Sequence, residues 1–331
     1  MRKLRVAING FGRIGRSIAR IVLGQRHDSI ELAAINDLVP IENCAYLFRY
    51  DSVFGPWNSS GVDFSSNRLQ VGETSVPFFH SRNLEELSLD GVDVILECTG
   101  QPYTAEYASR GLRAGASRVL ISGPADAADM TLILGANEDE YRGQQIVSNG
   151  SCTTNALAPL LKSIDDMFGV VGGQMTTVHC YTGSQPTVDQ PRDDFARSRA
   201  AALSMVPTST SAHKLLGRVL PGLAGKIEAR AIRVPTASVS AIDLTVALSN
   251  PPDLALAREK LHSAVAASSV MGWIDAPLVS VDLRARPESL VLSGPEISVS
   301  PGGLLRVFGW YDNEWGFANR MLDVAQLMSE T

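Results

Sequence analysis

The sequence predicts an α/β chain in two parts: a doubly wound, mostly parallel sheet over residues 1–150, then an α+β part over 151–316 with a mostly antiparallel sheet. Three observations predict it. A Gly10-x-Gly12-x-x-Gly15 turn links an apolar run to a helical pattern. Short apolar runs then alternate with helical segments, as parallel strands covered on both faces do. After the segment around residue 151 the composition shifts to longer, alternating strand-like runs.

Leu4–Asn9 reads as a buried strand, and Ile18, Ile21, Val22 and Leu23 continue a helical period beyond the turn. Glu31–Asn36 is a second strand ending in Asn36-Asp37, with the acid some twenty positions past the last glycine. Strand, glycine turn, helix and strand in this order form the Rossmann-type dinucleotide fingerprint. Gly10 makes the turn, Gly12 admits a pyrophosphate close to the backbone, Gly15 permits close packing, and the helix N-terminus faces the phosphate charge. Asp37 is placed to accept from an adenosine ribose and to repel a 2′-phosphate, which favours NAD over NADP. A solvated strand-end acid is the plain alternative, and a flavin fits the same loop. Further strands are expected at Val92–Glu97, Arg118–Ser122 and Thr131–Gly135. In the second part they fall at Gly172–His179, Ala229–Val234, Val239–Leu248, Leu290–Val299 and Leu304–Trp310. Tyr181 to about Val206 is a polar excursion of a length that is usually functional. The tail, Gly316–Met328, has helical spacing through Phe317, Met321, Leu322, Val324 and Leu327.

Ser151-Cys152-Thr153-Thr154-Asn155 precedes the apolar pattern Ala156, Leu157, Leu160, Leu161, Ile164, which sets Cys152 near a helix N-terminus. Such a position favours an anion and lowers a thiol pKa; the alternative is a structural thiol packed as a small hydrophobe. His179 closes its strand at the mouth of the polar loop, where imidazole can take the thiol proton if that strand end faces the Cys152 helix. His27, His80 and His213 show no convincing partners, and no metal-ligand spacing is present.

The formal net charge of −6 disfavours a general grip on nucleic acid or anionic lipid. No apolar run is long enough to span a bilayer. Met1-Arg2-Lys3-Leu4-Arg5 runs straight into Val6-Ala7-Ile8, so no secretory leader is expected, and the four scattered cysteines suit a reducing compartment, by default the cytoplasm.

Five segments together resemble the phosphorylating glyceraldehyde-3-phosphate dehydrogenase family, with some features of erythrose-4-phosphate dehydrogenases. They are Ala7–Gly15, Ser148–Asn155, Thr176–His179, Arg233–Thr236 and Trp310–Gly316, in family order across nearly the whole chain. The resemblance implies NAD-dependent oxidation of D-glyceraldehyde 3-phosphate to 1,3-bisphosphoglycerate, a step of glycolysis, through a hemithioacetal and a thioester on Cys152 with His179 as base. D-erythrose-4-phosphate oxidation to 4-phosphoerythronate is the alternative. It implies Phe11, Gly12, Arg13, Ile14, Asp37, Thr99, Gly100, Ser122 and Asn313 at the cofactor. Thr182, Arg199 and Arg233 are implied at the substrate phosphate, with Ser151, Thr153, Thr210 and Ser211 at inorganic phosphate or at an alternative position of the substrate phosphate. It further implies a homotetramer, and an NAD-binding domain of 1–150 completed by helix 317–331, with 151–316 catalytic. Ser211 stands where glycine is usual, Ser184 where aspartate is common, Ala156 where many relatives carry a second cysteine, and Phe317 where tyrosine is usual. Pro191 agrees with Asp37 on NAD.

Overall fold

The computed structural model describes residues 2–26, 28–101 and 103–330. The chain divides into two compact units: Met1–Leu132 with Asp139–Gly150 and Ala318–Thr331, and Ile133–Glu138 with Ser151–Phe317. His27 lies outside the described residues.

The first unit runs β1 (Leu4–Asn9), α1 (Arg13–Gln25), β2 (Ile30–Asn36), α2 (Ile41–Arg49), β3 (Val62–Ser65), β4 (Arg68–Val71), β5 (Thr74–Phe79), β6 (Val94–Glu97), α3 (Ala105–Arg113), β7 (Arg118–Ile121), β8 (Met130–Thr131) and β9 (Ile146–Ser148). Its sheet has the order β3-β4-β5-β2-β1-β6-β7-β9-β8, with β2, β1, β6 and β7 parallel. The chain leaves β1 for β2 on one side and later returns to β6 on the other. That reversal opens a crevice at the strands' carboxyl ends, where such folds bind ligands. Between Asn36 and Val92 the sequence signals no strand, yet β3, β4 and β5 form an antiparallel edge there. β3 is exposed at Asp63, Phe64 and Ser65 and carries no clean alternation, whereas β4 and β5 bury one face through Leu69, Val71, Val76 and Phe78. The expected strand Thr131–Gly135 is cut to Met130–Thr131. The Ile133 N–H goes to Asn137 Oδ1 at 2.9 Å and the Ala136 N–H to the Ile133 carbonyl at 3.1 Å, which is a turn and not a ladder.

The second unit contains α4 (Cys152–Phe168), β10 (Val170–Cys180), β11 (Val206–Thr208), α5 (Ala212–Val219), β12 (Ile227–Val234), β13 (Ser240–Leu248), α6 (Leu254–Ala266), β14 (Met271–Ile274), β15 (Leu290–Ser293), β16 (Ser298–Val299) and β17 (Leu305–Tyr311). The last helix, α7, spans Trp315–Glu330. The sheet order is β11-β12-β10-β13-β17-β15-β14; most pairs are antiparallel, but β10–β12 and β14–β15 are parallel. Leu290–Val299, expected as one strand, breaks into β15 and β16 at a turn over Gly294–Glu296, because Pro295 has no N–H to give the ladder. Leu157, Leu161 and Ile164 of α4 bury into one core with Met175, Leu244 and Val307. Each such side chain contributes about 1.5–3 kcal/mol, which holds the start of α4 in place. Among the described residues no helix is long and apolar enough to cross a membrane.

Candidate active site

Cys152 is the first residue of α4. Ser151 is extended (φ −123°, ψ 160°) and its hydroxyl accepts the Thr154 N–H at 3.1 Å, so the helix starts where the Ser-Cys-Thr-Thr pattern places it. His179 is buried at the end of β10, and its Nε2 lies 3.6 Å from Cys152 Sγ. The parallel register of β10 and β12 sets Arg233 directly beside His179. His179 Nδ1 is 2.7 Å from the Cys180 carbonyl, which can only accept, and the tautomer that satisfies this carbonyl, with the proton on Nδ1, offers the Nε2 lone pair to the sulfur. Arg233 Nη1 donates to the same carbonyl at 2.8 Å, drawing it to 2.9 Å from Nδ1.

The electrostatics correct one expectation. Burial pushes the Cys152 thiol above the ordinary value; the Arg233 charge, the Thr153 hydroxyl and the N–H groups of Thr153 and Cys152 oppose it but are outweighed. A helix N-terminus alone therefore does not make this thiol acidic. Burial, helped by the Arg233 charge, lowers His179 to about 4. Thiol and imidazole thus rest neutral, with the base ready to take a proton as the sulfur reacts.

Around this pair, several phosphate candidates are engaged elsewhere. The Ser151 hydroxyl bonds Thr154 Oγ1 at 2.8 Å as well as capping, and Thr153 Oγ1 lies 2.9 Å from the phenol of Tyr311, which also meets Thr177 Oγ1 at 2.8 Å. Thr182 pairs with Ser184 at 2.9 Å, and Thr210 accepts the Ala212 N–H at 3.3 Å. Ser211 is exposed at φ −66°, ψ −17°, a conformation that needs no glycine. Arg199 departs most: it is 65% exposed and binds Asp189 at 2.9 Å. Arg197 instead donates to Thr208 Oγ1 at 2.8 Å, and its charge is felt by Arg233. Sequence spacing could not separate two arginines two positions apart; Tyr311, fully buried and edge-on to His179 at 6.0 Å, was legible only as part of a motif.

Asn313 is buried, and its Oδ1 accepts from Ser240 at 3.2 Å and from the Cys180 thiol at 3.1 Å, leaving the amide nitrogen as donor. Val239, just before Ser240, is held at φ 65°. That conformation costs a β-branched residue about 1–3 kcal/mol, and it brings the Ser240 hydroxyl onto both Asn313 and the Cys180 N–H. Phe317 is buried.

In the first unit, the crevice at the ends of β1, β2 and β6 is a cavity of roughly 430 Å³. Gly10 has φ +95°, and a Cβ there would meet Cys98 backbone at 2.7 Å; on Gly15 it would lie 2.2 Å from the Gly10 carbonyl. On Gly12 it would meet nothing within 4 Å and would project into free space. Gly12 starts α1, and no side chain caps that helix. Asp37 lines the cavity, and its carboxylate accepts Phe11 N–H at 2.5 Å and Val39 N–H at 2.8 Å. The Phe11 ring is turned into the core against Phe48 and Phe78, so only its backbone can serve a ligand. Arg13 is ion-paired with Asp51. Thr99 lines the cavity, whereas Ile14, Gly100 and Ser122 do not. His80 and His213 prove to have partners, the Asp37 carbonyl at 2.9 Å and Glu228 at 3.7 Å. A network the sequence did not disclose braces the floor: buried Glu97 accepts from Asn9 Nδ2 and Thr99 Oγ1, each at 2.6 Å, and Asn36 Nδ2 donates to Asn9 Oδ1 at 2.8 Å. Burial raises the Glu97 pKa.

Comparison with known proteins agrees with this division. Residues 4–105 match the family described as glyceraldehyde 3-phosphate dehydrogenase, NAD binding domain, and residues 151–313 match its C-terminal domain. The chain is 45% identical to the glyceraldehyde-3-phosphate dehydrogenase of Xanthobacter flavus, with 99% of each chain covered. It is 43% identical to that of Cereibacter sphaeroides, with 98% of each covered, and 40% identical to the cytosolic glyceraldehyde-3-phosphate dehydrogenase 3 of Zea mays over the full length of both. None of these relatives bears the name of the four-carbon enzyme, and the erythrose-4-phosphate alternative gains no support from them.

Proposed function

The chain belongs to the glyceraldehyde-3-phosphate dehydrogenase family, and on that premise we propose how its own residues perform the family's reaction. It oxidises D-glyceraldehyde 3-phosphate to 1,3-bisphosphoglycerate with NAD and inorganic phosphate. The observation that carries this is the Cys152–His179 pair, 3.6 Å apart with Nδ1 of the imidazole on the Cys180 carbonyl. His179 Nε2 takes the thiol proton as Sγ adds to the aldehyde carbon, and returns it to the oxygen to give a hemithioacetal on Cys152. Bound NAD supplies the hydride acceptor. His179 removes the hydroxyl proton while the carbon gives up its hydride, leaving a thioester. An oxygen of inorganic phosphate then attacks the thioester carbon, releasing the acyl phosphate and the Cys152 thiolate, which recovers its proton from His179. The first-turn N–H groups of α4 favour negative charge beside the sulfur.

The first unit's cavity suits the cofactor. Gly12 leaves room at an uncapped helix N-terminus for the pyrophosphate, and Asp37 stands beside it for the adenosine ribose, as NAD requires. Thr99 and the backbone of Phe11, Arg13 and Ile14 complete this set, with Gly100 and Ser122 near by in sequence to the β6 and β7 ends. Asn313 offers its amide nitrogen to the nicotinamide carboxamide. Arg233 Nε is buried without a partner, and a phosphate oxygen satisfies it. Arg197, rather than Arg199, is the second guanidinium for phosphate, with Thr182, Thr210 and Ser211 as supporting hydroxyls. Ser151 and Thr153 act by fixing the start of α4.

The chain works as a homotetramer in the cytoplasm. The 181–206 excursion exposes Val188, Phe195, Leu203 and Met205 at 72%, 87%, 86% and 74%, apolar surface that a neighbouring copy would cover. The cytosolic name of the maize relative supports the compartment. NADH formation from glyceraldehyde 3-phosphate and from erythrose 4-phosphate, with and without inorganic phosphate, tests the reaction. Fast phosphate-dependent turnover of the three-carbon aldehyde is expected; phosphate-independent turnover favouring the four-carbon sugar would overturn it.

A further inference from the structure

The dinucleotide cavity has one wall that the glycine turn and Asp37 do not account for. Tyr107 supplies the one aromatic ring among the described residues lining it. The ring is held at its hydroxyl and on one face, and its residue is anchored at the start of α3. Its hydroxyl lies 3.0 Å from Thr99 Oγ1, which itself donates to Glu97 at 2.6 Å. Its backbone N–H donates to Thr104, the cap of α3, at 3.2 Å. The Arg110 guanidinium sits 3.8 Å from the ring centroid. Arg110 Nη1 is tied to the Arg82 carbonyl at 3.1 Å, while its Nε is buried with no partner. Leu38, half exposed, lines the same cavity. A planar aromatic ring and a planar cation, stacked and pinned beside a pyrophosphate-sized space, form a surface suited to a purine.

We propose that the Tyr107–Arg110 stack is the purine-recognition wall of the dinucleotide cavity, setting affinity through the adenine half of the cofactor. This rests on NAD being the ligand. The remainder of the cavity contributes backbone, small polar groups, a carboxylate, the Leu38 side chain and the Arg82 guanidinium, and among the described lining residues Tyr107 alone offers an aromatic face to a base.

The test is calorimetric binding of ADP-ribose, with nicotinamide mononucleotide as a purine-free control, to the full-length protein and three variants. Tyr107→Ala is expected to weaken ADP-ribose about tenfold or more, and Arg110→Ala by a smaller factor, with nicotinamide mononucleotide unchanged in both. Tyr107→Phe keeps the ring and is expected to bind ADP-ribose within about twofold of the parent. Undiminished ADP-ribose binding by Tyr107→Ala would overturn the wall while leaving NAD as cofactor. An equal loss of both ligands, or a Phe variant as weak as the Ala one, would overturn it too. Failure of the parent protein to bind ADP-ribose would remove the NAD premise itself.

Discussion

The two units prepare for their ligands in different ways. In the first, the backbone does most of it: a glycine with no Cβ to fill the space, a helix that begins uncapped, and amides fixed by Asp37. In the second, the working groups are side chains from three places far apart in sequence. Cys152 opens α4, His179 ends β10 and Arg233 nears the end of β12, and only the sheet register and the packing of α4 bring them together. A backbone site survives changes in the side chains around it, whereas a side-chain site depends on each partner. Substitutions should therefore be far more damaging, position for position, in the second.

Replacing the nucleophile gives the largest expected effect. Cys152→Ser should lower NADH formation by on the order of 10⁴-fold or more, with ADP-ribose binding, a property of the other unit, unchanged. Comparable turnover in this variant would remove Cys152 from the chemistry. His179→Asn should cost about 10²–10⁴-fold. In the parent protein the His179 value of about 4 lies below the ordinary 6.5, so the base stays available until the pH falls toward 4, and kcat/KM should fall along its acid limb there. The same depression makes the folded state lose stability as the pH drops below 6.5, because the unfolded chain then binds the extra proton. Arg233→Ala removes a cation that holds His179 down and Cys152 toward the thiolate. Its acid limb should move up in pH, and iodoacetamide should alkylate Cys152 more slowly than in the parent.

This contrast also explains what the sequence disclosed. Strand, glycine turn, helix and Asp37 lie within one short stretch, so the dinucleotide crevice was readable from local pattern alone. The Ser151 cap and the following apolar period likewise placed Cys152 correctly at a helix start. His179 facing Cys152 was only a conditional expectation, because a strand end says nothing about which helix lies beyond it. Arg197, Tyr311 and the Asn36–Asn9–Glu97 network escaped because each takes its contacts from neighbours 11 to 158 positions away in the chain. The thiol's charge state was not legible for the same kind of reason: the helix terminus is local, but burial is a property of the finished fold.

The glycine turn sharpens the comparison within the first unit. Gly12→Val projects atoms into open space at an ordinary φ of −71°, so it should weaken ADP-ribose binding by about a hundredfold while leaving Tm unchanged. Gly15→Ala places its Cβ 2.2 Å from a carbonyl oxygen and should cost about 1–3 kcal/mol, seen as a Tm lowered by several degrees. If Gly12→Val proves destabilising but binds normally, the cavity beside α1 is not where the pyrophosphate goes.

The smallest expected effect comes from a pair of neighbours on the polar excursion. Arg199 and Asp189 are 65% and 59% exposed, so their 2.9 Å contact is screened by water and worth at most a fraction of a kcal/mol. Arg199→Ala should leave Tm, kcat and the KM for glyceraldehyde 3-phosphate within about twofold or its thermal equivalent. Arg197 is less exposed, bound to Thr208 and close enough to Arg233 for the two charges to repel. Like charges held together in this way are stabilised by an anion between them, which makes the pair costly when empty and favourable when filled. Arg197→Ala should therefore raise the KM for the phosphorylated substrate by about tenfold while sparing kcat. The opposite ranking, with Arg199→Ala the more damaging to KM, would return the phosphate site to the position the sequence alone had favoured.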